Sequence, residues 1–289
     1  MYERREEVMR KLLFKLIATY IYYTPPHPCR GLLGKLAYRF YPQEFVTEIE
    51  SGVKMKIRLD NPDDIMIWSW NRGYSDGSEK VFASILQEGM FVFDIGANVG
   101  FYTLLAASRI GCKGRVYAFE PIPSIFERLK ENIALNDMHN IIPIPVAISD
   151  RTGIARMAVA GMASSLFYRA IHASGFIDVT TETLDKFVEC EGIKRLDVIK
   201  IDVEGAELKV IYGSDQTIRR FKPIMMIEIN PPALKSAGAT PEEVFSVIIS
   251  YGYDAYVVRN GKPVPTTKPI KPRWRGFRTL FDDYLFIPR

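Results

Sequence analysis

The sequence predicts a doubly wound α/β fold, a mostly parallel sheet covered by helices on both faces with an antiparallel last strand. Three observations carry that expectation. From residue 90 onward, strand-length apolar runs alternate strictly with helical patterns, the signature of a parallel sheet with crossover helices. The first run leads into a glycine-bearing turn, Asp94-Ile-Gly96-Ala-Asn98-Val-Gly100. The last two runs have no helix between them, so they must pair antiparallel if adjacent.

Taken in order, residues 1 to 23 show helical apolar spacing, with Val8, Leu12, Leu13, Leu16, Ile17 and Tyr20 on one stripe and Arg4, Arg5, Arg10, Lys11 and Lys15 around it. Pro25, Pro26 and Pro28 then stop the helix. Residues 44–50 and 53–59 alternate about Ser51-Gly52 and read as a hairpin. Residues 1–74 are therefore expected to form a helical and β-hairpin extension, and residues 75–289 the main domain. That domain should open with a short helix over 78–87. Its strands are expected at 90–95, 115–119, 141–148, 196–201 and 223–229, and its helices at 99–108, 123–135, 183–189, 205–212 and 241–251. Strands at 255–259 and 283–287 should close the sheet as an antiparallel pair.

With 289 residues, of which 47% are hydrophobic and 25% charged, the chain suits one large domain with an appendage and excludes wholesale disorder. Cys29, Cys112 and Cys190 are odd in number and far apart, which argues against a disulfide framework or a zinc knuckle and for a reducing, cytoplasmic setting. The apolar stretch from Leu12 to Tyr23 is broken by Lys15 and falls short of the roughly 20 residues that a membrane span needs. His27, His139 and His172 lack metal-ligand spacing.

Charge is unevenly spread. Residues 1–41 hold eight basic positions against three acids, net +5. A basic amphipathic helix of this kind suits peripheral contact with an anionic membrane or with another subunit, or it packs on the protein's own sheet. From Arg259 to Arg278 there are seven basic residues and no acid, with Trp274 among them. A loop between the last two strands should overhang the end of the sheet where ligands bind. Arg273 and Arg275 could there grip a phosphate or carboxylate while Trp274 stacks on a sugar or base.

The chemistry concentrates at strand tips. Glycines let the turn after 90–95 approach a ligand closely, and the following helix offers free N–H groups. The spacing GxxxG departs from the GxGxxG of dinucleotide sites, and Asp94 would repel a pyrophosphate but could pair with an ammonium group. Glu120, 24 residues after Gly96, ends the next strand, where a carboxylate can accept hydrogen bonds from both ribose hydroxyls. Asp202, Glu204 and Glu207 follow the fourth core strand; Glu204 and Glu207 read equally well as helix-start or surface acids. Glu228 and Asn230 end the fifth.

Five ordered segments, Asp94 to Thr103, Phe119-Glu-Pro121, Ala147-Ile-Ser-Asp150, Ile199 to Glu207 and Glu228-Ile-Asn-Pro231, together resemble the FkbM family of methyltransferases. The resemblance covers residues 75–258 and implies a class I methyltransferase sheet of the Rossmann-like kind. It implies S-adenosylmethionine, which carries an ammonium group, as cofactor, and a hydroxyl of a sugar, glycolipid or other metabolite as methyl acceptor. By position, Asp94, Gly96, Asn98, Gly100, Tyr102, Thr103, Glu120, Pro121, Ala147 and Asp150 should line the cofactor site. Asp202 and Glu228 are the candidate catalytic acids. Glu204, Asn230, Arg273, Trp274 and Arg275 are the candidate acceptor contacts, with an anionic small molecule or glycan favoured.

An oxygen-rich cluster of Asp202, Glu204, Glu228 and Asn230 could hold Mg²⁺, but no metal is expected. The rival readings are a nicotinamide-dependent oxidoreductase, disfavoured by the missing GxGxxG, and a nucleic-acid or membrane-surface binding protein with an inert core. Nucleic acid is disfavoured because no recognisable RNA-binding module is present.

Overall fold

A computed structural model describes residues 44–50, 52–58, 77–159, 175–270, 273–275, 278–280 and 282–289, together with positions 9, 12–14, 16, 17, 20, 32, 33, 36, 64, 67 and 68. Its centre is an eight-stranded sheet in the order β12-β11-β15-β10-β9-β3-β4-β5. The strands are β3 (Phe91–Ile95), β4 (Arg115–Phe119), β5 (Ile141–Ile144), β9 (Val198–Ile201), β10 (Ile224–Ile229), β11 (Tyr253–Arg259), β12 (Lys262–Thr266) and β15 (Asp282–Pro288). From β5 to β10 the pairing is parallel throughout. β15 runs antiparallel to both β10 and β11, so the expected antiparallel closing pair is present, with the last strand inserted between the fifth and sixth.

Both faces are covered, as the unbroken apolar runs require. On one face Val92, Val116, Val198, Met226 and Leu285 pack against the helices Ser78–Ile85, Phe101–Ile110 and Pro123–Ala134. On the other, Phe93, Phe119, Ile199, Ile201 and Ile227 pack against the helices Leu184–Cys190, Glu207–Tyr212, Asp215–Phe221 and Pro241–Ser250. The hairpin of β1 (Glu44–Glu50) and β2 (Val53–Arg58) forms as expected. Its Val53, Met55 and Ile57 join the first core. Asn132 and Asn136 take the backbone N–H groups of Lys56 and Lys54 at 2.9 and 2.7 Å, and buried Asp64 pairs with Arg128.

Several expectations need correction. The single strand expected over 141–148 is two. Pro145 has no N–H to continue the ladder, and after it β6 (Ala147–Ile148) leaves the main sheet to pair with β8 (Gly175–Glu182), which also pairs with β7 (Gly153–Val159). That three-stranded sheet and the short helices Asp215–Phe221 and Pro231–Ser236 were not foreseen. The helix expected from Val99 begins at Phe101, because Gly100 at φ 98° occupies its N-cap. The segment after β11 first runs back down the sheet as β12, where Pro263 and Pro265 are tolerated because the strand is an exposed edge. It then returns as a small hairpin of β13 (Arg273–Arg275) and β14 (Arg278–Leu280), which ends two residues before β15.

Candidate active site

The pleat decides which side chains meet at the carboxyl edge of the sheet. Asp94 on β3 pairs in register with Lys200 on β9, Lys200 with Met226 on β10, and Glu228 with Asp283 on β15. Alternate residues share a face, so Asp94, Lys200, Asp202, Glu228 and Asp283 all fall on the face that carries the Phe101–Ile110 helix. Lys200 is completely buried, and its Nζ lies 3.2 Å from Asp202 Oδ2, 3.5 Å from Asp283 Oδ1 and 4.9 Å from the centre of the Tyr102 ring. A buried ammonium survives only when paired in this way.

The acids around it are unequal. Burial opposes a charge on Asp202, but the Lys200 ammonium and hydrogen bonds with Glu228 and Lys200 hold its carboxyl below the ordinary range. Glu228 is driven the other way, first by burial and then by the charge of Asp202 and the hydrogen bond between the two carboxyl groups. Asp202 is therefore the ionised member and Glu228 the proton-bearing one. Glu204 sits at φ 51° in the turn after β9, and its Oε2 accepts from Asn230 Nδ2 at 2.9 Å. Asn230 Oδ1 in turn accepts the Ala233 N–H at 3.1 Å, capping the helix Pro231–Ser236. Gly205, at φ +106°, is required here because a Cβ would lie 2.7 Å from the Ala233 carbonyl oxygen.

On the other side of Asp94 lies the glycine turn. The Asp94 carboxylate accepts from the Thr103 hydroxyl at 2.5 Å, and burial raises its pKa to about 6. Gly96 at φ +86° would place a Cβ 1.9 Å from the carbonyl oxygen of Asp202, so the glycine is dictated by the neighbouring strand's backbone. Glu120 is buried and accepts the N–H groups of Asn98 at 3.0 Å and Ile122 at 2.9 Å. Burial nonetheless pushes it up to about 7, and only those N–H groups pull it down.

The sequence profile of the methyltransferase FkbM domain matches residues 94–255, more than half of the chain and the whole stretch from the glycine turn to β11. The chain belongs to the FkbM methyltransferase family. Among its relatives, the hexuronic acid methyltransferase AglP of Haloferax volcanii is 26% identical over 201 residues, covering 68% of this chain and 77% of that protein. The 2-O-methyltransferase NoeI of Sinorhizobium fredii is 28% identical over 148 residues, covering 45% and 60%. A solved FkbM methyltransferase from Methylobacillus flagellatus aligns at 12% identity and TM-score 0.44, over 96% of this chain and 59% of that one.

This FkbM methyltransferase uses S-adenosylmethionine, and its donor set fits that molecule. Asp94 and Glu120 are two buried acids with raised pKa values; among the described residues no cation lowers Glu120, and the sulfonium and ammonium of the cofactor supply positive charge. Each Glu120 oxygen spends one lone pair on a backbone N–H and keeps another for a hydroxyl.

Not every expected site residue has a free hand. Tyr102 packs its ring on Lys200 and edge-on to Phe82, which places it on the acidic cluster's side of Asp94. Asn98, expected at the cofactor, offers its side chain back to the Val99 N–H at 2.7 Å. Pro121 follows Glu120 directly in the turn before the Pro123–Ala134 helix. Ala147 is buried in β6, and Asp150 is exposed with Ser149 Oγ 3.1 Å away. Glu207, read as a helix-start or surface acid, is buried; its Oε1 takes the Gly205 N–H at 2.9 Å and burial lifts it to about 8. Arg259, counted among the basic loop residues, is bound two-pronged by Asp282. His139 is exposed beside Asp137, Cys112 and Cys190 are free and exposed, and His27, His172 and Cys29 lie outside the described residues. So do the side chains of Arg273, Trp274 and Arg275.

Asp202, Glu204 and Glu228 each offer an oxygen within 4.8 Å of the others. The Lys200 ammonium and the Asn230 amide already serve Asp202 and Glu204, and burial favours the neutral form of Glu228. Lys200 and Asp283 were missed as site residues. A lysine inside the apolar run Val198-Ile-Lys-Ile201 was the available signal, and Asp283 could have been found only by knowing that β15 lies beside β10.

Proposed function

We propose that this enzyme methylates a hydroxyl group on a sugar or glycolipid that carries an anionic group elsewhere. The observation that carries the reading is the hydrogen-bonded carboxyl pair of Asp202 and Glu228 at the carboxyl edge of the sheet next to Asp94, with the buried Lys200 ammonium 3.2 Å from Asp202 favouring the charge there. An alcohol must lose its proton as it is methylated, and Asp202 is the general base suited to take it. The cofactor supplies a methyl group on a sulfonium, whose C–S bond breaks as the acceptor oxygen forms its bond to carbon. Asp94, Gly96, Gly100, Thr103, Glu120 and Pro121 frame the cofactor, with Asn98 shaping the turn and Ala147 and Asp150 on the adenine side.

Glu204 and Asn230 border the acceptor. A negative group on the acceptor would be repelled by the carboxyl cluster, so it should dock toward the basic hairpin Arg273–Arg275, whose return strand leads directly into Asp282 and Asp283. AglP is named for a hexuronic acid, a sugar that bears a carboxylate.

Methyl-labelled cofactor offered with uronic-acid glycans, sugar phosphates and their neutral counterparts tests the reading. Label should pass preferentially to the anionic sugars, and Asp202→Asn should bind S-adenosylhomocysteine normally while losing nearly all transfer. Full activity in Asp202→Asn would remove it as the base. Reversing charge at Arg273 and Arg275 should raise the acceptor KM most at low salt.

Peripheral membrane contact through the N-terminal helix is part of the same reading. Met9, Leu12, Leu13, Leu16 and Tyr20 are exposed at helical positions, whereas Ile17 is buried and Phe14 packs on Phe45 and Trp68. An outward apolar stripe in a segment of net charge +5 suits an anionic bilayer. No helix of the described residues is long and apolar enough to cross one. Flotation with anionic liposomes should carry the protein upward; recovery wholly in the soluble fraction would rule the contact out.

A further inference from the structure

Methyl transfer to an alcohol needs one proton acceptor, yet five acids, Asp94, Asp202, Glu204, Glu228 and Asp283, crowd this end of the sheet. Something must decide which of them does the work. Lys200 is the one cation among the described residues whose ion pairs reach Asp202, and it stands where no solvent competes with it. Its ammonium is bracketed by Asp202 at 3.2 Å and Asp283 at 3.5 Å and covered by the Tyr102 ring at 4.9 Å, so it cannot swing away from the pair. Glu228 lies opposite Asp283 in register and hydrogen-bonds Asp202.

We propose that Lys200 is a positioning residue acting through Asp202. It pins the Asp202 carboxylate at the acceptor edge and divides the roles of the Asp202–Glu228 pair, with Asp283 as the second anchor that keeps the ammonium in place. The proposal rests on Asp202 being the base.

The arrangement follows from which charges face the lysine. β3 contributes Asp94, β9 and its turn Asp202 and Glu204, β10 Glu228, and β15 Asp283; the helices packed over this face contribute Tyr102 and Glu79. Without the ammonium, Asp202 would sit among acids only. The proton now held by Glu228 would then be shared with Asp202 or passed to it, and a protonated Asp202 cannot accept the acceptor's proton. A lysine that merely filled core volume would need neither two carboxylate partners nor a place on the acidic edge. Its burial against Asp202, whose side chain is 24% exposed, lets the charge act from behind and leaves the front of the carboxylate to the acceptor.

The test needs no acceptor. Asp and Glu carboxyl carbons are labelled with ¹³C in the full chain and titrated by NMR from pH 2 to 9, a range that reaches below the ordinary carboxylate value where Asp202 titrates, with the Asp202 signal assigned by its loss in Asp202→Asn. Lys200→Met should raise the Asp202 midpoint by about one pH unit or more, the scale of losing an opposite charge at this distance, and Lys200→Arg should restore most of the native value. Asp283→Asn should move it the other way, slightly down, because a negative neighbour is gone and the ammonium then answers to Asp202. Opposite displacements from two members of one cluster are not what general loosening would give.

An unchanged midpoint in Lys200→Met, or an upward move in Asp283→Asn, overturns the proposal. If Lys200→Met does not fold, Asp283→Asn decides alone, a downward move supporting the proposal and an unmoved midpoint overturning it. Failure here would leave the base assignment standing on the transfer assay, and a fully active Asp202→Asn would sink the base while leaving these titrations as they are.

Discussion

Asn230 gives its side-chain amide to Glu204 Oε2 at 2.9 Å while its carbonyl oxygen takes the Ala233 N–H at 3.1 Å. One side chain thus starts a helix after β10 and ties down the acid in the turn after β9. Asn230→Ala should lower stability by about 1 kcal/mol through the lost cap. Asn230→Asp keeps the cap but sets a second carboxylate against Glu204. Its thermal midpoint should match the parent's closely at pH 5 and fall below it at pH 8; a deficit equal at both pH values would show that the contact with Glu204 does not matter.

Glu120 should matter to the cofactor in a pH-dependent way. Burial holds its carboxyl at about 7 in the cofactor-free protein, and a ligand that uses the ionised form must first remove the proton. Affinity for S-adenosylhomocysteine should therefore rise between pH 6 and pH 8. Glu120→Ala should weaken binding by about 1.5–3 kcal/mol, the usual cost of losing hydrogen bonds to a charged group, and flatten the pH dependence. Calorimetry at the two pH values measures both; unchanged affinity would take Glu120 out of the site.

The sheet was legible because parallel strands buried on both faces leave long apolar runs, and the runs ending in Ile95, Phe119, Ile201 and Ile229 have no other use. The tip acids Asp94, Glu120, Asp202 and Glu228 were legible for the same reason: a charge ending an apolar run stands out. The three-stranded β6-β7-β8 sheet was not, because apolar Ile154 and Phe176 are exposed while polar Thr181 is buried, so hydropathy and burial do not coincide along its strands. Glu207 does start its helix, one of the readings that the sequence left open, but its burial was not legible, since sequence cannot tell a helix-start acid in water from one folded back on the Gly205 N–H. Arg259 looked like part of a free basic run because its partner Asp282 lies 23 residues on.

The acidic cluster should not need a divalent cation. Of the three carboxyl groups within 4.8 Å of one another, Asp202 already has the Lys200 ammonium 3.2 Å away and Glu204 accepts the Asn230 amide, so the charge that a hard cation would neutralise is partly met by the protein itself. Millimolar Mn²⁺, a paramagnetic substitute for Mg²⁺, should leave the Asp202 and Glu228 carboxyl signals unbroadened in the folded protein. Selective broadening of those two signals at low Mn²⁺ would establish a metal site and reopen the question of how the hydroxyl is activated.

Glu207 should make the protein less stable as pH rises. Its second carboxyl oxygen, Oε2, is buried with no hydrogen-bond partner, and burial lifts its pKa from 4.5 to about 8. A group whose folded pKa is raised binds its proton more tightly in the native state than in the unfolded chain. Between pH 4.5 and 8 the unfolded chain gives up that proton while the folded one keeps it, so stability falls across this window and levels off above it. At pH 8 the accumulated loss is on the order of 4 kcal/mol. Glu207→Gln keeps an oxygen for the Gly205 N–H and has nothing to ionise. Its unfolding midpoint in denaturant should lie near the parent's at pH 5 and clearly above it at pH 8. A variant that tracks the parent at both values would mean that Glu207 reaches water or a partner in solution, and a variant weaker at pH 8 would mean that its charge is needed there.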